Sequence, residues 1–387
     1  MKIVAAHERT VPLAAAVRNA RIGFETMTAS ALVLVSDVWR DGKPVAGLAF
    51  DSIGRYGHGG LLRERFLPRL LAAPADTYAD AARDTIDPFR VWSIVMRDEK
   101  PGGHGERPAA VGLIDAAAWD LVAKLEQKPL WRVLADRFCG GDAAPRVPNY
   151  GSGGHYRPGD DAGQLQDELR RYRDLGYRRA KIKVGGAALD ADRRRIEAAL
   201  DVMGAGNLAV DCNGTLESDA AHALFRALQG YGLAWIEEPV DPLDYDLHAE
   251  LARAWPVPIG TGENLFSFAD ARNLLRHGGL RPDRDWLQLD ISLSYGIPEY
   301  LRIVELAERH GWSRRRFLPH AGHLFALHVV AGLGLGGHEA APDPSGLIGG
   351  YASDTVVEDG FVRPGEAPGA GFELKNNLYA VFREMTG

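Results

Sequence analysis

The chain has 387 residues, of which 46% are hydrophobic, and a formal net charge of −7. The negative charge argues against nucleic acid or an anionic membrane as the main partner, and the length exceeds one ordinary compact domain. Two cysteines provide no disulfide framework, and no apolar run approaches the length of a membrane span. These features predict a soluble cytoplasmic protein, with one α/β barrel and a smaller second unit.

The first part of the chain, to about residue 130, is predicted to form an α+β unit. Strand-like and helical patterns alternate along it, at residues 2–8, 30–38 and 47–51 for strands and 61–71, 87–96 and 109–125 for helices. The glycine-rich segment 54–60 lacks the strand and helix context of a phosphate-binding loop, so we interpret it as a mobile loop over a pocket. A second glycine-rich segment, 99–107, is either a basic loop that meets a carboxylate or a plain surface loop.

From about residue 146 the pattern becomes strand, amphipathic helix, strand. Strands are predicted at residues 147–150, 180–184, 208–212, 234–237, 257–261, 286–291 and 316–319, with a weaker one near 334–339. Eight strands alternating with helices predict a closed parallel barrel. A loop-rich tail with a strand pair near residues 355–362 is expected to pack back on the first unit, which gives predicted domains at residues 1–130, 131–340 and 341–387.

Lys181 and Lys183 share one face of a short predicted strand, because side chains alternate along a strand. Repulsion between two ammonium groups and partial burial both lower a lysine pKa, so one of the two is a candidate neutral base near pH 7. The alternative is a solvated edge strand with two ordinary lysines. The ends of the other strands favour the first interpretation.

Polar side chains stand at or just past the end of successive barrel strands, one per βα repeat. They are Lys183, Asp211, Glu237, Glu263, Asp290 and His320, followed by Glu339 at the eighth strand. The C-terminal ends of the strands of a parallel barrel gather at one face, so these side chains are predicted to converge.

Asp211, Glu237 and Glu263 come from three neighbouring strands. Three carboxylates in a low-dielectric pocket cannot all stay ionised without a cation. Oxygen ligands select a hard ion, and Mg²⁺ suits a site that leaves room for substrate and water. The sequence therefore predicts a Mg²⁺ site here, whereas each acid taken alone is equally typical of a helix N-cap or of the surface.

Asp290 and His320 end the next two strands. An aspartate beside a histidine fixes the ring tautomer and stabilises the imidazolium, which makes a proton donor. In the predicted chemistry, Lys183 removes the proton α to a metal-held carboxylate, and the metal and Lys181 stabilise the enediolate. His320 then donates a proton from the opposite side, to a leaving hydroxyl in a β-elimination of water or to carbon in an epimerisation.

The strand ends carry a set of motifs: Lys181-Ile182-Lys183, Asp211-Cys212-Asn213-Gly214, Glu237-Glu238-Pro239 and Gly262-Glu263-Asn264. With Asp290 and His320, they resemble the mandelate racemase-type subgroup of the enolase superfamily over nearly the whole chain. The resemblance implies an α/β fold, a (β/α)₇β modified TIM barrel with an N-terminal α+β capping domain, and a homo-oligomer. It also implies a lysine base with Mg²⁺, the catalytic set Lys183, Lys181, His320 and Asp290, and substrate contacts from Asn213 and Glu339.

Four further stretches, residues 54–57, 99–107, 281–286 and 319–323, resemble the D-tartrate dehydratases of that superfamily. This resemblance implies dehydration of D-tartrate to oxaloacetate, with Mg²⁺ at one carboxylate and Arg55 or Lys100 at the other. Ile53, His338 and segment 340–350 depart from the expected pattern. A second hypothesis therefore keeps the machinery but acts on another acid sugar or as a racemase or epimerase. A third is a non-catalytic barrel that binds a metal or ligand.

Overall fold

The N-terminal part opens with a three-stranded antiparallel sheet, Ile3–Pro12, Thr28–Arg40 and Lys43–Phe50, in chain order. The fold is that of a computed structural model, which describes residues 1–157, 159, 162–320 and 323–386. The third strand packs closely on the long buried helix Glu106–Leu125. A Cβ at Gly47 would lie 2.0 Å from the carbonyl oxygen of Ala117, so this approach requires glycine.

Shorter elements surround that helix. A continuous helical run crosses a π-helical segment, and its parts are Gly59–Leu61, Leu62–Phe66 and Leu67–Leu71. Asp87 caps the helix Pro88–Val95 by accepting from the backbone N–H of Phe89 at 2.9 Å. The remaining elements are the 3₁₀ turn Ala75–Thr77, the two-residue strands Ala79–Asp80 and Thr85–Ile86, and the helix Leu130–Phe138.

The barrel is built from parallel strands that neighbour one another in chain order. Its first six strands are Val147–Gly153, Ala180–Lys183, Leu208–Asp211, Ile236–Glu237, Ile259–Thr261 and Trp286–Leu287. The seventh strand is reduced to one residue, Phe317, which forms a single parallel bridge with Leu287 of the sixth. The eighth strand, His338–Ala340, pairs with the first. The backbone N–H of Gly336 donates to the carbonyl of Phe317 at 2.9 Å, which closes the ring.

Seven helices follow the first seven strands and cover the outside of the barrel. They are Ala162–Asp174, Leu189–Met203, Ser218–Ala227, Tyr245–Ala254, Phe268–His277, Ile297–Arg309 and Leu324–Leu333, with a 3₁₀ turn at Arg314–Arg316. The predicted (β/α)₇β barrel with an N-terminal α+β cap is therefore confirmed. Within the part of the chain that the structure describes, no helix is both long and apolar enough to cross a bilayer.

The C-terminal tail contacts both parts of the molecule. Its strand pair, Val356–Glu358 and Phe361–Arg363, adds antiparallel to the first barrel strand, with Val362 opposite Val147. The tail was expected to pack back on the first unit, but its strand pair lies on the barrel instead. It pairs with Val147 and Pro148, which precede the residues of the first barrel strand that pair with its two barrel neighbours. The last helix, Asn376–Thr386, lies against the N-terminal sheet after the 3₁₀ turn Phe372–Leu374. The domain boundaries at residues 130 and 340 stay a prediction.

Candidate active site

Three carboxylates meet at the C-terminal ends of neighbouring barrel strands. Asp211 and Glu237 are paired last residues of the third and fourth strands, and Glu263 lies just after the fifth. One oxygen of each carboxylate lies within 4.8 Å of the corresponding oxygens of the other two. Strand register thus brings together the residues that the βα spacing selected.

Several buried oxygens at the strand ends make no hydrogen bond to the described residues. One is Oε2 of the predicted ligand Glu263, and the others are Asn213 Oδ1, Glu238 Oε1 and Glu339 Oε2. A buried acceptor without a donor is costly, and a cation held by the carboxylate cluster would satisfy Glu263 Oε2. Oxygen-only ligands with such unpaired atoms fit a hard divalent ion such as Mg²⁺.

Donors behind Glu237 hold this ligand in place. Its Oε2 accepts from Trp235 Nε1 at 2.8 Å and from Gln288 Nε2, and its Oε1 accepts from Lys181. Burial raises the pKa of Glu237 to about 8, against the attraction of Lys181. Trp235 and Gln288 were not predicted as site residues, although each stands two residues before a predicted strand-end acid and therefore points to the same face of its strand.

The two lysines both pair with carboxylates. Lys181 is 1% exposed, and its ammonium contacts Glu237 and, at 2.8 Å, Glu339. Lys183 Nζ donates to Asp211 Oδ2 at 2.5 Å. Burial and repulsion by Lys181 lower the pKa of Lys183, but the combined attraction of Asp211, Glu263 and Glu237 outweighs them, so the pKa is raised.

The expectation of a lowered lysine pKa is therefore wrong for this arrangement. It considered the repulsion between Lys181 and Lys183 but not the carboxylates that the neighbouring strands place against them. A divalent cation bound to Asp211 would act on the Lys183 amine in the opposite direction, because like charges disfavour protonation.

His320 and Asp290 form the expected pair. His320 Nδ1 lies 2.8 Å from Asp290 Oδ2, and its Nε2 lies 3.9 Å from Glu263 Oε2. Burial lowers the pKa of His320, but Glu263 and Asp290 outweigh it and raise the pKa to about 9. The raised pKa favours the protonated imidazole, which is able to donate a proton.

A side chain from the cap completes this pair. Ser52 Oγ donates to Asp290 Oδ2, while Oδ1 of the same fully buried aspartate accepts from the backbone N–H of Leu293 at 2.8 Å. Sequence reasoning missed Ser52, because the contact joins residues far apart in the chain and no periodicity connects them. The cap thus helps to orient Asp290 and, through it, His320.

A cavity of about 140 Å³ lies between the strand ends and the cap. Lys183, His320 and Glu263 line its barrel side, together with the predicted substrate contacts Asn213 and Glu339. The cap side includes Arg55 and Ile53. Glycine-rich segment 54–60 therefore reaches the cavity, as the prediction of a loop over a pocket requires.

The structure does not bring Lys100 to this cavity. Its side chain is exposed, and its carbonyl oxygen accepts from Arg107 Nη1 at 2.9 Å. Of the two residues predicted to bind the second substrate carboxylate, Arg55 is therefore the one that lies at the cavity. His338 is buried outside the cavity lining, with Nδ1 2.9 Å from Tyr351 Oη, while Ala321 and Gly322 of the stretch 319–323 lie outside the described residues.

His155 and Asn264 also line the cavity, and sequence reasoning missed both as site residues. His155 follows the first barrel strand, and its ring meets Phe24 of the cap edge-on at 5.6 Å. Burial and the nearby charge of Lys183 lower the pKa of His155 to about 3, so its ring is neutral. The position after a strand end was the available signal, but the predicted series of strand-end residues starts only at the second strand.

The family model described as Enolase C-terminal domain-like matches residues 164–378, more than half of the chain. The chain belongs to the enolase superfamily. Within this superfamily it is of the mandelate racemase type. It is 30% identical over 330 residues to L-talarate/galactarate dehydratase of Salmonella typhimurium. The matched region covers 83% of this chain and 76% of that relative. It is 26% identical over 289 residues to arabinonate dehydratase of Saccharolobus solfataricus, with coverage of 73% and 74%.

Solved structures of this superfamily share the fold. A racemase from Streptomyces coelicolor with bound magnesium gives a TM-score of 0.79 at 24% identity, and covers 100% of this chain and 98% of that one. The L-talarate/galactarate dehydratase structure from Salmonella typhimurium gives 0.77 at 25% identity, with coverage of 97% and 90%. The relatives named as dehydratases support an enzyme of the lyase class.

Proposed function

We propose that the chain is a Mg²⁺-dependent acid-sugar dehydratase that converts D-tartrate to oxaloacetate and water. The observation that carries this proposal is that Lys183, at the end of the second strand, and His320, after the seventh, line one cavity together with Glu263 of the carboxylate cluster. An amine and an imidazole at one cavity are the base and acid that an elimination needs.

Each residue has a distinct task in the proposed reaction. Asp211, Glu237 and Glu263 would hold Mg²⁺, which would supply positive charge toward a substrate carboxylate. Lys183 accepts the proton α to that carboxylate. His320 gives its Nε2 proton to the departing hydroxyl, so that C–H and C–O bonds break, a C=C bond forms and water leaves. The enol product then tautomerises to the keto acid.

Neighbouring carboxylates orient the imidazole of His320 and pair with the ammonium of Lys181. Asp290 accepts from His320 Nδ1, which leaves Nε2 toward Glu263 and the cavity. Lys181 forms ion pairs with Glu237 and Glu339 in the barrel interior, where an unpaired carboxylate would be costly.

Magnesium is supported by two observations. The oxygen cluster fits a hard cation, and a structural neighbour was solved with bound magnesium. D-tartrate itself is supported by the stretches that resemble D-tartrate dehydratases and by Arg55, whose planar guanidinium suits a second carboxylate. A homo-oligomer and a cytoplasmic location remain predictions.

A second candidate is the same reaction on a longer acid sugar. Ile53, which departs from the D-tartrate pattern, lines the cavity, and an apolar side chain there cannot replace a hydrogen bond to the substrate. The relative with 30% identity is named for talarate and galactarate, which are six-carbon dicarboxylates.

A substrate panel separates these candidates. The purified protein with Mg²⁺ is incubated with D-tartrate, galactarate, L-talarate and arabinonate, and keto-acid formation is followed at 250 nm as the semicarbazone. We expect oxaloacetate from D-tartrate with the wild-type protein and none with Lys183→Ala. The matched control is Lys128→Ala, which removes an exposed lysine paired with Asp136.

The other outcomes are distinguishable. Keto acid from galactarate or talarate but not from D-tartrate establishes the second candidate. Deuterium incorporation or inversion at the α carbon without keto acid, seen by NMR in D₂O, indicates a racemase or epimerase. Full activity of Lys183→Ala removes the base assignment. Absence of both Mg²⁺ binding and turnover makes a non-catalytic barrel the better account.

A further inference from the structure

Arg55 reaches the cavity from the cap but is held by the barrel. Its Nη2 donates to Asn264 Oδ1 at 2.6 Å, and its guanidinium lies over the ring of Phe266 at 4.8 Å from the ring centre. Nη1 donates to the carbonyl of Gly54 at 3.0 Å. A guanidinium carries five N–H groups, and within the described ranges only the hydrogen bonds to Asn264 and Gly54 engage them. The others remain available to a ligand in the cavity.

Asn264 is oriented from its other side by Glu238. The amide Nδ2 of Asn264 donates to Glu238 Oε2 at 2.6 Å, which turns Oδ1 toward Arg55. Glu238 and Asn264 each directly follow a predicted metal ligand, on the fourth and fifth strands. Hydrogen bonds therefore link the strand ends that carry the predicted metal ligands, through the amide of Asn264, to the guanidinium of Arg55 in the cap.

The side chain of Glu238 makes no other hydrogen bond in the described part of the chain. It is fully buried, its second oxygen has no hydrogen-bond partner, and its backbone adopts a positive φ of 35°. A buried carboxylate is costly, so an apolar side chain of similar size would serve stability better at this position. The hydrogen bond to Asn264 gives Glu238 a function that an apolar side chain cannot supply.

We infer that Glu238 and Asn264 are positioning residues that fix Arg55 at a set place relative to the metal ligands, so that the site selects dicarboxylates over monocarboxylates. The inference rests on the proposed function and deepens it by naming the residues that hold Arg55 in place for the second carboxylate. Because Asn264 and Glu238 stand on rigid strand ends, the place of Arg55 does not depend on the cap loop alone. A ligand that spans the cavity then needs a carboxylate at each end.

The discrimination follows from what Arg55 meets at the far end of the ligand. A carboxylate accepts two parallel N–H bonds from a guanidinium, which is a strong charge-assisted contact. The terminal hydroxyl of a monocarboxylate sugar acid offers no charge and one acceptor oxygen. Losing Arg55 should therefore weaken binding of a dicarboxylate and leave a monocarboxylate nearly unaffected.

Calorimetry with the Mg²⁺-loaded full-length Lys183→Ala protein tests the inference without turnover. The probes are D-tartrate and galactarate as dicarboxylates and D-arabinonate as the monocarboxylate. In this background we compare Arg55→Ala, Glu238→Ala, Glu238→Gln and the double variant Arg55→Ala/Glu238→Ala. The matched control is Glu305→Ala, an exposed glutamate paired with Arg309, and Mg²⁺ affinity is measured for every variant.

Arg55→Ala should weaken the dicarboxylate that binds by about 30-fold, as expected for a charged hydrogen bond, and arabinonate by less than about 2-fold. Glu238→Ala should weaken the same dicarboxylate by about 10-fold. Glu238→Gln should restore most of this loss, because an amide oxygen still accepts from Asn264. The double variant should match Arg55→Ala alone, because Glu238 acts through Arg55.

The contrary results are separable. If Arg55→Ala leaves both dicarboxylates unaffected, the proposed substrate class fails. If Arg55→Ala weakens them but Glu238→Ala does not, or if the two losses add, only the positioning inference fails. If Glu238→Ala lowers Mg²⁺ affinity or does not fold, Asn264→Ala is measured instead, because it removes the hydrogen bonds to both Glu238 and Arg55. An equal loss of affinity for arabinonate and for the dicarboxylates in Asn264→Ala overturns the inference.

Discussion

Replacing His58 with glutamine should remove a pH-dependent part of the stability of the cap. His58 follows the segment that carries Ser52 and Arg55, so it anchors the loop that reaches the site. Its Nδ1 lies 3.2 Å from Asp51 Oδ2 and its Nε2 lies 2.8 Å from Glu106 Oε2, with the side chain 1% exposed. Burial lowers the pKa of His58, but the two carboxylates outweigh it and raise the pKa from 6.5 to about 9.

The magnitude follows from that pKa. Each pKa unit between the folded and unfolded states is worth about 1.4 kcal/mol, so the rise from 6.5 to about 9 stabilises the folded protein by about 3 kcal/mol. Because the folded pKa lies above the unfolded one, this contribution is complete below pH 6.5 and is lost as the pH rises through 9. Glutamine cannot titrate and lacks this dependence.

Urea unfolding of the wild type and of His58→Gln, each at pH 6 and pH 10, measures the effect. The stability advantage of the wild type over the variant should shrink by about 3 kcal/mol between these pH values. His320 titrates in the same range but is present in both proteins, so it cancels in the difference. The control is His310→Gln, an exposed position that should show no such change. An advantage that is equal at both pH values would refute the reasoning.

Three other changes test the site and the fold. His320→Asn should preserve exchange of the substrate α proton with solvent deuterium and abolish elimination, and loss of both by NMR in a folded protein would assign His320 another role. Gln288→Leu removes a donor to Glu237 and should weaken Mg²⁺ binding about 10-fold by calorimetry, whereas unchanged affinity would contradict the orienting role. Gly47→Ala places a Cβ against the Ala117 carbonyl and should destabilise the protein by about 1–3 kcal/mol in urea unfolding; an unaltered midpoint would show that the helix can move away.

Periodicity explains why so much of the barrel could be predicted. Asp211 and Glu237 end strands that pair in register, and a βα repeat places such residues at one face whatever the details of the loops. The seventh strand shows the limit of the pattern, because residues 316–319 were predicted as a strand but Phe317 forms only one bridge. The helix Leu130–Phe138 was not predicted. It begins directly after Pro129, and a proline is as typical of a turn or loop as of a helix start.

Contacts between distant segments were not accessible from the pattern. Ser52 meets Asp290 and Arg55 meets Asn264 only because the cap docks over the strand ends. Lys100 was selected for its charge, yet the hydrogen bond from Arg107 to its carbonyl sets a loop conformation with the lysine outside the cavity. Such contacts depend on tertiary geometry rather than on local sequence.

A crystal of the protein grown with Mn²⁺ in place of Mg²⁺, measured for anomalous scattering, tests the arrangement of the metal ligands. We expect one strong peak at the barrel mouth, coordinated by oxygens of Asp211, Glu237 and Glu263, with the amine of Lys183 and the imidazole of His320 facing the same space. A peak held by other groups, or acidic side chains that point to separate places with no ion between them, would contradict the account.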